Sequence, residues 1–212
     1  MVTTSWSPPL TQAALNLMAN PTYANQPEVI PWGLYDSVSI ATAATGPFVL
    51  FQNVNADKTL SNMEGPGQLP DPQYLIVDYL ASDFMRIPDA TVTAIVPGAL
   101  ADISNIQFTC RETFQFQMSN KNYGPFPITM TAATGGPTGF ALGYGSGTAA
   151  NNSVASVLSG RPGSGGFPFC GALVIPPKIG FSVTLQLAVA ATLVATFYQR
   201  VVLVGPLYRR VL

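Results

Sequence analysis

Glu112 stands where a strand pattern asks for an apolar side chain, and it is the last carboxylate in the sequence. From Ile106 to Met118 one face reads Ile106, Phe108, Cys110, Phe114, Phe116 and Met118. Gln107, Thr109, Arg111, Thr113, Gln115 and Gln117 take the other. Period two puts Glu112 on the apolar face, where a lone carboxylate is costly unless paired. One chemistry for it is that of a general acid or base with a raised pKa. The structural alternatives are an ion pair with an arginine of the second half, or a bulge that turns the side chain outward. The structural alternatives are favoured, because no His, Lys or second acid accompanies Glu112 in a matching pattern.

Other reactive groups are sparse. The chain has no histidine, and Thr113 to Leu212 contains no Asp or Glu. Proton transfer near neutral pH and transition-metal binding therefore lack their usual groups. Cys110 and Cys170 have no histidine partner and read as two small apolar residues in a reduced protein. Asp71, Asp78, Asp83 and Asp89 offer oxygen ligands for a hard cation, but their spacing matches no known loop, so solvated surface acids are expected. The glycine-rich stretches Gly143–Gly147 and Gly160–Gly166 lack the Gly-Lys-Ser/Thr ending and a following helix, which makes them loops rather than phosphate cradles. The serines have no base to activate them. No catalytic, cofactor or metal site is expected, and the chain reads as a non-enzyme.

The composition points to contacts instead. Of the 212 residues 48% are hydrophobic and 9% charged, against about 25% charged in an ordinary soluble domain. A surface so poor in charge favours association. All ten acids lie in residues 1–112 with three bases (Lys58, Arg86, Arg111), while residues 113–212 hold six bases and no acid. These bases form no cluster beyond Arg209-Arg210, so no nucleic-acid motif is present. Strands of the two halves interleaved in one domain would let the charges compensate. The start of the chain lacks the basic and long apolar stretches of a secretory leader. Leu187 to Tyr198 is shorter than the ~20 residues that cross a bilayer. Synthesis in a cytoplasm, followed by assembly, is the expectation.

The elements that must position these residues are mostly strands. One short helix is expected, with Leu10, Ala13, Ala14, Leu17 and Met18 on one stripe, Ser7 as cap, Pro8 and Pro9 in its first turn and Asn20-Pro21 as its stop. A helix this short is unstable alone, so Leu10, Ala14, Leu17 and Met18 must dock on their own domain or on a neighbour. Residues 1–33 read as an arm, with Asn20 to Trp32 extended, and 34–212 as one β domain. Strands are expected at Phe48–Val54, Gln73–Leu80, Thr91–Val96 and Ile106–Met118. Phe126, Ile128 and Met130 continue the style, Phe181–Val189 alternates, and Thr192–Val204 closes the domain. The tract 134–166, dense in Gly, Ser, Thr and Ala, reads as long surface loops with one short strand. The fold expected is all-β, a single jelly-roll sandwich or barrel with an N-terminal arm carrying one short helix.

Three stretches carry a resemblance: the Pro-punctuated arm with its helix, the block from Asn62 to Val77 (NMEGPGQLPDPQYLIV), and the closing run from Phe197 to Arg210 (FYQRVVLVGPLYRR). Together they cover about a third of the chain, which resembles a single jelly-roll capsid protein of a tailless icosahedral bacteriophage. The resemblance implies a shell subunit of the virion that self-assembles through lateral contacts and its arm into trimers or larger tiles. It further implies other virion proteins as neighbours, with a membrane or genome under the inner face. It brings no catalytic residue and no cofactor. The rival expectation is a carbohydrate-binding or host-attachment sandwich that uses Trp6, Trp32 or Tyr144 as stacking platforms.

Overall fold

The structure is a computed structural model and describes residues 27–86, 106, 110–134, 137–144, 153–159, 167–193 and 196–210. Its strands are β1 (Pro27–Ile40), β2 (Phe48–Leu50), β3 (Tyr74–Arg86), β4 (Thr113–Met118), β5 (Lys121–Pro127), β6 (Pro137–Tyr144), β7 (Ser153–Ser159), β8 (Phe167–Ile175), β9 (Phe181–Gln186) and β10 (Phe197–Arg210). Two four-stranded sheets run in the orders β1-β10-β3-β8 and β2-β9-β4-β5, and β6-β7 form a small third one. All the strand pairings are antiparallel. The protein is an all-β sandwich, with a 3-10 segment at Ile128–Thr134.

The alternation in sequence becomes a division between faces. Phe114 and Phe116 of β4 and Phe181, Val183 and Leu185 of β9 point inward. There they meet Leu34, Leu75, Val77, Leu80, Val201 and Leu203 of the opposite sheet in one core cluster. Phe51, Phe181, Phe116 and Tyr123 run through it as a chain of rings with centroids 5.6 to 6.5 Å apart. Each fully buried Phe or Leu contributes roughly 1.5–3 kcal/mol, so these strands hold the sandwich shut. A second cluster lies beyond Gln199 and comprises Ile40, Ile106, Cys110, Leu187, Ala191, Leu193 and Phe197.

Strand β1 lies at a sheet edge, and its free side is closed by local chemistry. Asn62 accepts from the Tyr35 amide at 2.7 Å and donates to the Gly33 carbonyl at 2.8 Å, while its own N–H reaches the Tyr35 carbonyl at 3.1 Å. By the two-residue period Pro31 presents its missing N–H on that same side, and an edge so treated cannot recruit a stray strand. We expect Asn62→Ala to lower stability by about 1–3 kcal/mol, since it strands two backbone groups, the Tyr35 N–H and the Gly33 carbonyl, while the Asn62 backbone bond survives. Urea denaturation checks this, and a loss within error would show that water replaces the asparagine freely.

Several expectations change. The segment read as an arm up to residue 33 already belongs to β1 from Pro27 onward. Strand β2 stops at Leu50, where Phe51 takes a φ of 67° and gives its N–H to the Asp36 carboxylate at 2.5 Å. Strand β4 starts only at Thr113, because Arg111 adopts a φ of 49° and breaks the run from Ile106. Ile128 and Met130 lie in the 3-10 segment, with Ile128 buried and Met130 exposed. The tract 134–166 holds two strands rather than one, paired as a hairpin. Strand β10 runs past Val204 to Arg210. The helix stripe Leu10, Ala14, Leu17 and Met18 and the strand expected at Thr91–Val96 lie outside the described residues. The halves do interleave: both main sheets mix early and late strands, and the ion pairs Asp71–Lys178 and Glu28–Arg209, each 2.7 Å, join an acid of the first half to a base of the second.

Candidate functional site

Glu112 lies on the last stretch before β4, between the two sheets, and is 1% exposed. Its backbone carbonyl accepts from Ile128 N–H at 3.0 Å, which ties it to the 3-10 segment. Neither carboxylate oxygen has a hydrogen-bond partner among the described residues, and no Lys or Arg there forms an ion pair with it. The expected ion pair is therefore absent among these residues, and the side chain is not turned outward either. Burial pushes the Glu112 pKa up to about 8, and the nearby Gln199 amide offsets this only in part. Gln199 is fully buried on β10 between Phe197 and Val201. It donates to the Ser82 hydroxyl at 3.1 Å, while its carbonyl oxygen has no donor. Cys110 is a free, buried thiol whose pKa is raised by burial and then by the neighbouring Glu112. The group is a neutral polar island between two apolar clusters, and no described cleft has Glu112 in its wall.

A cleft of about 560 Å³ opens instead on the outer face of the β2-β9-β4-β5 sheet. Its floor is built from outward positions, Val49 of β2, Ser182 and Thr184 of β9 and Gln117 of β4, as the two-residue period requires. Gln52, the turn Pro66-Gly67-Gln68, Ser119, Asn120 and Gly180 complete the lining. These walls are tied to one another. Phe181 N–H donates to Gly67 O at 2.9 Å, Ser119 N–H to Gly180 O at 2.8 Å, and Gln52 Nε2 to Phe181 O at 3.2 Å. Gly67 is needed at its turn, where φ is +65°. Among the described residues no charged side chain lines the cleft.

The other residues singled out in the sequence are scattered. Asp71 pairs with Lys178 on the surface. Asp78 and Asp83 lie on β3 with pKa values raised by burial, in Asp83 against the opposing charge of Arg200. Among the described residues no group of three His, Cys, Asp or Glu could hold a metal ion. Trp32, 37% exposed, is on β1 beside a shallow dent shared with Met63 and Pro70. Trp6 and Asp89 lie outside the described residues, as do the side chains of Tyr144 and Cys170. Gln117, Ser182 and Thr184 were legible as the polar face of their strands. Gln52, Gln68 and Asn120 carry no local signal, since only the tertiary approach of three separate turns brings them together.

Compared with known proteins, the chain matches no family model, no curated protein and no solved structure.

Proposed function

We propose that this protein is a structural subunit, a single jelly-roll shell protein that assembles with copies of itself into a capsid-like coat. The observation that carries the reading is the pairing scheme. β1 pairs with β10, β2 with β9, β3 with β8 and β4 with β5, as if one long hairpin had been rolled into two facing sheets. This scheme supports a jelly-roll reading, and that architecture hosts viral coats, lectins and cupins. A cupin site is built on histidines, and this chain has none. Between coat and lectin the sparse charge favours the coat. With 9% charged residues, a dispersed monomer has little to keep it from associating. Lateral contacts of the standard ~1,600 Å² would cover such a surface, each weak and together sufficient on a closed lattice.

In this reading residues 1–26, which precede β1, act as a clasp, with Leu10, Ala14, Leu17 and Met18 seated on a neighbour. Other coat proteins, and a genome or membrane beneath the shell, are the partners implied.

Size-exclusion chromatography with light scattering, followed by electron microscopy, tests the proposal. Tiles, multimers or closed shells are expected at micromolar protein. A monodisperse monomer at every concentration would falsify it. Deleting residues 1–20 is expected to abolish assembly while leaving the sandwich folded, and undiminished assembly would remove the clasp.

A further inference from the structure

We infer that the cleft on the outer face of the β2-β9-β4-β5 sheet is a binding site for a neutral saccharide. This holds whether or not copies of the chain assemble. The cleft's volume, about 560 Å³, lies within the ~300–1,000 Å³ typical of small-ligand sites. Its chemistry selects the class. The polar lining consists of primary amides (Gln52, Gln68, Gln117, Asn120) and hydroxyls (Ser119, Ser182, Thr184). Each of these groups both donates and accepts, as do the vicinal hydroxyls of a sugar ring. With no cation in the wall, phosphate, sulfate and uronate groups would lose their hydration without compensation. With no anion, an amine fares no better.

A pyranose also has an apolar C–H face. Val49, 45% exposed, and Pro66 offer apolar contact in the same cleft. The hydrogen bonds that tie the lining segments hold their backbones and the Gln52 amide in place before a ligand arrives, which lowers part of the cost of ordering the site on binding. Gln68 and Asn120 are exposed in the lining of the cleft, where their amides can meet ring hydroxyls.

Gly180 provides the discriminating variant. A Cβ there would meet no atom within 4 Å, and its backbone lies outside the left-handed region. A side chain at this position is thus compatible with the fold, yet it must project from the wall of the cleft. The experiment uses the full chain on an array of neutral hexose oligosaccharides alongside sialylated and sulfated ones, with saturation-transfer NMR on the hits. We expect retention of neutral glycans only. Gly180→Phe should weaken binding at least about tenfold with the melting temperature unchanged, and Asn120→Ala about fivefold.

An array that retains no neutral glycan overturns the assignment. So does preference for the acidic glycans, or neutral-glycan binding that neither Gly180→Phe nor Asn120→Ala weakens. If Gly180→Phe changes the oligomeric state and no glycan is bound, the cleft is a contact between copies and the saccharide assignment falls. Should Gly180→Phe fail to fold, Asn120→Ala alone decides by its effect on glycan affinity.

Discussion

Glu112→Gln should make the protein more stable at neutral and alkaline pH, by about 3 kcal/mol at pH 7 and about 5 kcal/mol above pH 8, with little change at pH 4. The sign follows from the direction of the shift. The folded-state pKa is raised to about 8 from an ordinary value of 4.5. Below pH 4.5 the carboxyl is protonated in both the folded and unfolded states, and stability is independent of it. Between 4.5 and 8 the unfolded chain releases the proton and the folded one keeps it, so stability falls by about 1.4 kcal/mol per pH unit. Above 8 the folded protein holds an unpaired anion and the loss is complete. Glutamine keeps the shape and cannot ionise. Asp78 and Asp83 are shifted in the same direction, and the Cys110 thiol faces Glu112 from the second cluster. The difference between wild type and variant, rather than the wild-type slope alone, therefore isolates Glu112. Urea midpoints from pH 4 to 9 measure it. A difference that stays constant with pH would mean that the carboxylate finds water or a cation, and the neutral-island account would fail.

Glu112 was visible in the sequence as an anomaly, but its resolution was not. Period two marked it as buried, and it is. Whether a cation reaches it depends on which strand crosses above, and that strand brings Gln199, a residue with no sequence link to it. The strands with two different faces, β4 and β9, were legible because alternation reports a half-buried sheet directly. The prolines misled at β1. Pro27 and Pro31 suggest a free arm, yet an edge strand tolerates proline on its unpaired side. The hairpin β6-β7 reads as loop in the sequence because Gly, Ser, Thr and Ala dominate the tract, although Phe140, Leu142 and Tyr144 of β6 do recur at period two. The cleft lies furthest from the sequence. Its floor is a polar strand face that could be read, and its walls are turns whose meeting is a property of the folded chain.

Strand β10 offers the severest test of the backbone. Gly205-Pro206 reads in sequence as a break, and proline is normally excluded from the interior of a sheet, yet β10 lies between β1 and β3 and continues through both residues. The register with β3 shifts between Val204 and Leu207, so the irregularity absorbs the proline. The bulge also drives the Gly205 backbone against β3. A Cβ on Gly205 would lie 1.8 Å from the Ile76 carbonyl oxygen and 3.1 Å from the Asp78 amide nitrogen. Both obstacles are backbone, and a Cβ has no rotamer with which to escape. Gly205→Ala must therefore separate β10 from β3 where Leu75 and Leu207 close the core. We expect it to cost about 3 kcal/mol or more, a large share of the ~5–15 kcal/mol that holds a typical domain folded. Gly180→Ala, which meets nothing, should stay within about 0.5 kcal/mol and serves as the control. Melting temperature and soluble yield of the two variants make the comparison. Equal stability would show that β10 and β3 do not approach as closely as the bulge requires, and the pairing β1-β10-β3 on which the rolled hairpin rests would need redrawing.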